Sequence, residues 1–500
     1  MSIVRRNIIA NIAGRGWAAL LSLAVIPLYI HFLGIEAFGL IGFFLSLTLI
    51  LSLLDLGLGT TLNRQFAQYS MQSGKAQEMR DLLRTLEIIY WLIGIAIGVT
   101  MTALAPAIAA YWLKPQQLSI ETATQALAMM GIAIAFQWPR ALYGGGLMGL
   151  QRHVAFNLLS SITGTVNNLG GVLILWLVSP TLQAYVAWFM AISLVDTLST
   201  GLLLWRSLPK APARATFRPQ ALAGIWRFAA GMTGISVMSI ILTQLDKLIL
   251  VKVLPLDAFG YYSLASRVAG GLSYLTGPVC AAFFPRFSQL VARNDTQELA
   301  RLYHRACQLM SVLIMPLAAV LTLFSYELLL VWTQDRSIAE NGHLVLSLLA
   351  VGTALNAVAS LPHVLQLAYG WTRLALVGNT AATLLLGPLI YFMSIKYGGV
   401  GAAIVWVTLN ALYIGGVVTF MHRRLLRGEL WRWYRHDIGP PLFATAAIGS
   451  LWNLLIPTPE SGWLAVPELM LALIAMFAAA VVAAPEIRSL TTRWLPSHSK

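Results

Sequence analysis

Long apolar segments follow one another along almost the whole chain, and each is about 20 residues or longer. That is the length an α-helix needs to cross the hydrocarbon core of a bilayer. The predicted spans are 8–33, 38–62, 86–113, 122–149, 154–179, 182–205, 224–254, 258–285, 306–332, 343–368, 374–395, 400–421, 438–456 and 463–484. Only 10% of the 500 residues are charged, whereas soluble domains carry about a quarter. The sequence therefore predicts an all-α polytopic membrane protein with about fourteen transmembrane helices.

The positions of lysine and arginine test this count, because cytoplasmic loops of membrane proteins collect positive charge. The chain has 33 Lys and Arg, and 25 of them lie in or beside loops on one side, with Arg227 at the start of span 224–254 counted there, which leaves 33 − 25 = 8 elsewhere. These eight are Arg15, Lys114, Arg140, Lys247, Lys252, Arg267, Arg336 and Lys396. Both termini are therefore predicted to be cytoplasmic. The net charge of +14 indicates membrane topology rather than nucleic-acid binding.

A short motif occurs twice, as LGIEAFG at residues 33–39 and as LPLDAFG at residues 254–260. The acidic positions are 257 − 36 = 221 residues apart. Six spans separate the copies, so both halves have the same orientation, as in transporters built from parallel repeats. A chance similarity of two apolar motifs is the alternative, and the matched topology disfavours it. The repeat predicts two six-helix lobes related by a pseudo-two-fold axis along the membrane normal.

The predicted domain organisation follows from the repeat and the basic loops. It comprises a first lobe (1–206), a Pro-rich cytoplasmic linker (207–222), a second lobe (223–422), a basic cytoplasmic loop (423–437), two extra transmembrane helices (438–485) and a cytoplasmic tail (486–500).

Ionisable side chains inside the spans must be paired or hydrated, because each costs roughly 2.5–3.5 kcal/mol in hydrocarbon. Asn11 and Arg15 share one face of span one by helical spacing, and Ser236, Thr243 and Asp246 share one face of span seven. A shift of 221 residues places Arg15 on Ser236, so the same face is polar in both copies. This pattern predicts a hydrated cavity between the lobes. The alternative is polar contact between helices within one lobe.

Other charged positions permit two interpretations each. Arg267 in span eight either binds an anion in the cavity or pairs with Asp246. Lys247 points about 100° away from Asp246 around the helix, and either snorkels to the interface or joins the cavity. Asp55 in span two serves either structure or ion coupling, with structure favoured. Arg140 either lines the inner mouth of the cavity or anchors a helix end.

Catalytic chemistry has little support in the sequence. None of the motifs for zinc hydrolysis, phosphate-binding loops or nucleophile elbows occurs. The predicted exterior loops are short, which disfavours a membrane glycosyltransferase or polymerase. The two cysteines, Cys280 and Cys307, have neither disulfide nor metal spacing. A non-enzymatic protein without metal or cofactor is therefore expected.

Three stretches carry a resemblance to a known family. LLDLGLGTTLNRQFA (Leu53–Ala67) resembles the Asp-Leu-Gly-Leu segment of Wzx-type polysaccharide exporters, and QLDKLIL (Gln244–Leu250) with AFGYYSLASR (Ala258–Arg267) resembles their seventh and eighth spans. These exporters belong to the multidrug/oligosaccharidyl-lipid/polysaccharide exporter superfamily. The resemblance implies an alternating-access flippase that moves a polyprenyl-diphosphate-linked oligosaccharide across the bacterial inner membrane. The two extra C-terminal spans are similar to those of peptidoglycan-precursor flippases.

The same resemblance implies roles for residues and partners. Candidate substrate or cavity residues are Asn11, Arg15, Arg140, Ser236, Thr243, Lys247 and Arg267, and candidate ion-coupling residues are Asp246 and Asp55, with H⁺ or Na⁺ as the ion. Expected partners are a lipid-linked oligosaccharide, membrane lipids, a polysaccharide polymerase and chain-length machinery, with no nucleic acid. The main alternative is a cation-drug antiporter of the same superfamily. Lys247 and Arg267 argue against it, because a cavity for cations favours acids without cations.

Overall fold

The computed structural model describes residues 3–55, 57–72, 74–220, 243–456 and 465–494, and these ranges contain helices and no strand. The chain divides into two compact units, Met1–Gly260 and Tyr261–Lys500. The lobe and linker boundaries predicted from the sequence stay a prediction.

Unit 1 is a helical bundle centred on one long helix. Its helices are α1 (Ile3–Leu51), α2 (Leu58–Tyr69), α3 (Ala76–Ala107), α4 (Ile120–Gly149), α5 (His153–Leu177), α6 (Leu182–Ser207), α7 (243–253) and the beginning of α8 (Leu256–Gly270). Helix α4 packs against α2, α3 and α6. Small residues permit this close approach: a Cβ at Gly98 would lie 2.8 Å from the Ala135 Cβ.

Unit 2 is a second bundle of long helices. After α8 it contains α9 (Ser273–Ala292), α10 (Thr296–Leu323), α11 (Ser325–Thr333), α12 (Arg336–Ala368), α13 (Thr372–Tyr413), α14 (Thr419–Leu425), α15 (Gly439–Leu455), α16 (Ala465–Ala483) and α17 (Pro485–Trp494). Helical segments at Ile414–Val418, Leu430–Arg432 and Trp433–Ile438 extend the neighbouring helices. Helix α10 packs against α9, α12, α15 and α16, and its buried face forms the core.

Ten helices in the described residues are long and apolar enough to cross a membrane. Two of them, Leu20–Asp55 and Val377–Leu425, have a glycine outside helical geometry at Gly34 and Gly398 and each covers two predicted spans. A rise of about 1.5 Å per residue makes even the shorter one nearly twice as long as a bilayer core of about 30 Å. Helix α4 matches a further span, which gives 10 + 2 + 1 = 13. Most of the remaining span, 224–254, lies outside the described residues. Because described helices match the other thirteen spans, the predicted all-α polytopic fold is confirmed.

Some predicted boundaries are wrong. Span 38–62 is interrupted, because Ser52–Asp55 forms a 3₁₀ turn and Gly57 adopts φ 72°, a left-handed conformation that glycine tolerates best. The basic loop 423–437 is largely helical, which leaves a turn near residues 426–429. Trp433 explains the second difference, because its fully buried ring fixes this segment against the unit 2 core.

Candidate functional site

The two copies of the repeated motif lie against each other inside unit 1. A Cβ at Gly39 would lie 2.6 Å from the Leu256 carbonyl oxygen, and a Cβ at Gly260 would come even closer to the Ile35 carbonyl oxygen. The contact is reciprocal under the repeat, because 35 + 221 = 256 and 39 + 221 = 260. Residues 33–39 and 254–260 are called the repeat crossing below. Its two glycines are required because any side chain would separate the backbones.

Carboxylate and lysine contacts fasten the repeat crossing to the loop between α3 and α4. Glu36 is 2% exposed, and its carboxylate accepts hydrogen bonds from the backbone N–H groups of Gln116, Gln117 and Leu118. Lys114 donates to the Val253 carbonyl at 3.0 Å. The loop between α3 and α4 and the two copies of the repeated motif all lie on the side predicted to face the exterior. The hydrogen bonds connect them into one structure there.

The predicted cavity residues are placed to different extents. Asn11 and Arg15 lie on helix α1, with side chains outside the described residues, and Ser236 is also outside them. Helix α7 carries Thr243, which is exposed, and Asp246 and Lys247, which are half-buried. Lys247 donates to the Gln244 amide oxygen at 3.5 Å. In unit 2, Arg267 is half-buried on α8, and its guanidinium has no carboxylate within 4 Å among the described residues.

Arg140 forms an ion pair inside unit 1. Its guanidinium donates to the Asp196 carboxylate and, at 2.9 Å, to the Ser160 hydroxyl. Thr163 donates to the other Asp196 oxygen at 3.0 Å. The pair joins α4, α5 and α6 and satisfies both charges, which lowers the cost of keeping them inside a bundle. Arg140 therefore presents less free positive charge than Lys247 or Arg267.

Asp55 lies at the break in span two and is tied to the neighbouring helices. Its carboxylate accepts a hydrogen bond from the Tyr90 hydroxyl. It also lies over the first turn of α2, with Oδ1 3.5 Å from a Cβ built at Gly59. An acid at a helix N-terminus is stabilised by the helix dipole. This arrangement favours the structural interpretation of Asp55, and its role in ion coupling stays a prediction.

A second carboxylate, Glu87, has a similar environment and was missed in the sequence. It is 8% exposed and accepts hydrogen bonds from Tyr143 at 2.6 Å and from Trp205 at 3.1 Å. Arg84 pairs with its second oxygen at 2.9 Å. Side chains from α3, α4 and α6 thus all bond to this one buried carboxylate.

The linker after α6 is attached to α3 through Asp81. This carboxylate is 2% exposed and accepts from the Thr216 backbone N–H at 2.8 Å, and Arg218 pairs with it at 2.9 Å. The Arg218 backbone N–H donates to the Thr85 hydroxyl at 2.9 Å. The linker is therefore held along α3 by charge-assisted hydrogen bonds.

Replacing Asp81 by alanine should release the linker. Trypsin should then cleave at Lys210 or Arg214 at least about fivefold faster, because the loss of about 1–2 kcal/mol of charge-assisted bonding raises the open population by that order. Limited proteolysis of the purified protein measures the rate. Glu78→Ala is the matched control, since its pair with Lys75 is exposed. Equal cleavage of both variants would contradict the role of Asp81.

Unit 2 contains a buried histidine between two carboxylates. His304 is 1% exposed; its Nδ1 lies 2.5 Å from Asp437 Oδ2 and its Nε2 lies 3.0 Å from Glu429 Oε2. Both ring nitrogens thus lie within hydrogen-bond distance of a carboxylate oxygen. Gln308 donates to the other Asp437 oxygen at 3.0 Å and accepts from the Glu486 backbone N–H at 2.9 Å. These bonds join α10 to the helical segment Trp433–Ile438, which leads into α15, and to α17.

Comparisons with known proteins give the family. A sequence profile described as "Polysaccharide biosynthesis protein" matches residues 31–335. A Shigella flexneri protein provisionally assigned as an O-antigen transporter is 22% identical over 394 residues, which cover 79% of this chain and 91% of that protein.

Two solved structures show the same fold. The lipid II flippase MurJ, in an inward closed conformation, matches 98% of this chain and 100% of its own chain, with a TM-score of 0.74 and 14% identity. An inward-facing multidrug transporter of the MATE family matches 81% of this chain and 96% of its own, with a TM-score of 0.62 and 14% identity. The profile covers more than half of the chain, and the predicted resemblance is confirmed. The chain belongs to the polysaccharide biosynthesis protein family and has the fold of the multidrug/oligosaccharidyl-lipid/polysaccharide exporter superfamily.

Proposed function

We propose that this chain flips a polyprenyl-diphosphate-linked oligosaccharide from the cytoplasmic to the outer leaflet of the bacterial inner membrane. Membership of a polysaccharide family in a transporter fold supports transport linked to polysaccharide synthesis. The observation that carries the finer proposal is the pair of half-buried cations, Lys247 and Arg267. They lie on adjacent helices in sequence, in the region resembling the exporters.

The chemistry of the substrate explains why such cations are needed. A diphosphate carries negative charge that hydrocarbon excludes, so the headgroup must pass along a polar path. Lys and Arg offset that charge, and Arg also binds phosphate oxygens in a bidentate manner. The polyprenyl tail remains in the apolar bilayer during the transfer. A drug antiporter that exports organic cations would be hindered by the same side chains.

Asp246 is proposed to couple transport to H⁺ or Na⁺. It is half-buried on α7, one residue before Lys247. An ionised carboxylate can bind Na⁺, or it can take up H⁺ and become neutral. Coupling requires that the ion bind one arrangement of the transporter better than the other. Asp246→Asn should therefore abolish the dependence of export on the ion gradient, as measured by export in cells with and without an ionophore.

Arg267→Ala tests the substrate proposal. In a strain that lacks the native gene, wild-type protein should restore surface polysaccharide, whereas the variant should leave lipid-linked oligosaccharide on the inner leaflet. Arg293→Ala is the control, because Arg293 is exposed at the end of α9. Immunoblots of membranes should show equal amounts of all three proteins. Normal export by Arg267→Ala would remove Arg267 from the mechanism.

A further inference from the structure

Unit 2 has an arginine-lined pocket that lies outside the predicted transport site. Its volume is about 720 Å³, which falls in the range of small-molecule sites. Four arginines line it, Arg301, Arg424, Arg427 and Arg432, together with one carboxylate, Glu429. The N-terminal turn of α10 and the turn after α14 supply these residues, and the predicted topology places both on the cytoplasmic side.

The charges around this pocket do not cancel. Arg301 pairs with Glu298 at 3.3 Å, and Arg432 lies 3.7 Å from Glu429. Glu429 is also bonded to His304, which reduces the negative charge it offers to the arginines. In the described part of the chain, neither Arg424 nor Arg427 has a carboxylate within 4 Å. Four arginines against Glu429 in the lining and Glu298 beside it leave 4 − 2 = 2 formal positive charges at the pocket.

Two contacts hold this lining in place. The Arg424 guanidinium stacks 4.5 Å from the centre of the Trp371 ring, a cation–π contact that fixes its plane. The Glu429 carboxylate is hydrogen-bonded to His304, and His304 is in turn hydrogen-bonded to the buried Asp437. A preorganised cluster of guanidinium groups binds tetrahedral oxyanions strongly, because each can donate two parallel hydrogen bonds.

We propose that this pocket binds an anionic phosphate group, separately from the flipped substrate. The positive-inside rule alone explains basic residues at this face, but it does not require four arginines around one pocket with two lacking a carboxylate. The phosphate belongs either to the headgroup of an anionic phospholipid in the inner leaflet or to a soluble diphosphate. The proposal does not depend on the proposed function, since the pocket uses none of the residues assigned to transport.

Binding measurements on the full-length protein in detergent separate these sources. Inorganic pyrophosphate is titrated by calorimetry, and retention of phosphatidylglycerol against phosphatidylcholine is measured by native mass spectrometry. Arg424→Gln with Arg427→Gln removes the two arginines that lack carboxylate partners and should weaken binding at least about tenfold. Arg286→Gln with Arg293→Gln is the matched control, because it removes the same charge from exposed positions in α9 and its C-terminal end.

Each outcome decides the proposal. Saturable pyrophosphate binding that the pocket variant loses and the control keeps supports a soluble ligand. Selective phosphatidylglycerol retention with the same pattern supports a lipid headgroup. If wild-type protein binds neither, or if both double variants lose binding equally, the pocket is not a phosphate site. Export assays on the pocket variant are independent, so failure of this proposal leaves the proposed function intact.

Discussion

Gly39→Val and Gly260→Val should each lower glycan export at least about fivefold without reducing the amount of protein in the membrane. The Cβ of valine at either position would overlap a carbonyl of the other repeat copy. Overpacking of this kind typically costs about 1–3 kcal/mol, and one to two kcal/mol corresponds to a factor of about 5–30 in an equilibrium. Because a transporter must populate more than one arrangement, such a bias against the arrangement that contains this contact should slow the cycle.

Gly164→Val is the matched control, because a Cβ at Gly164 meets no atom within 4 Å. A cysteine at position 35 gives a second readout, since the Ile35 side chain lies 3.0 Å from a Cβ at Gly260. Labelling of this cysteine by a membrane-impermeant maleimide should increase in Gly260→Val. Unchanged export and labelling in both crossing variants would show that the contact has no part in transport.

His304→Ala should cause the largest loss of stability in unit 2. Asp437 is fully buried, and its Oδ2 would lose the 2.5 Å hydrogen bond to the His304 ring. Leaving a buried polar group without its partner typically costs about 1–3 kcal/mol, and more for a charged group. The midpoint of thermal unfolding in detergent should therefore fall well below that of the wild-type protein.

His343→Ala is the control, since the His343 ring bonds the Ala339 and Glu340 carbonyls of its own helix, contacts the Tyr326 ring and pairs with no carboxylate in the described part of the chain. The double variant His304→Ala with Asp437→Asn should recover part of the lost stability. A double-mutant cycle isolates the pair energy. If His304→Ala and His343→Ala had similar midpoints, the buried network would not stabilise unit 2.

The fold was predictable because bilayer thickness and loop charge act along the whole chain. Apolar length located thirteen spans that the described residues contain, and the boundaries failed where side-chain contacts override hydropathy. Asp55 and Gly57 break span two, and Trp433 extends a helix into a basic loop. Neither effect changes the average hydropathy of the segment, so hydropathy averaged over a sequence window does not detect these two boundaries.

The site was only partly predictable, because pairing between distant helices has no local signal. Arg140 was a candidate from the sequence, yet its pairing with Asp196 depends on how α4 and α6 pack. His304 and Asp437 fell at predicted span edges, at 306 and 438, where charged residues are expected to meet water. The repeated motif was the exception, since its spacing of 221 predicted equivalence and the reciprocal glycine contact follows the same spacing.

The most direct test is flipping by the purified protein in liposomes that contain a polyprenyl-diphosphate-linked oligosaccharide. Access of the glycan to an external lectin measures the fraction that has changed leaflet. The proposed function predicts flipping by wild-type protein and by Arg293→Ala, and a loss of at least about tenfold in Arg267→Ala and Lys247→Ala, the order expected for losing one charge-assisted phosphate contact. Absence of flipping by the wild-type protein across several lipid-linked glycans and ion gradients, or full flipping by both cation variants, would contradict it.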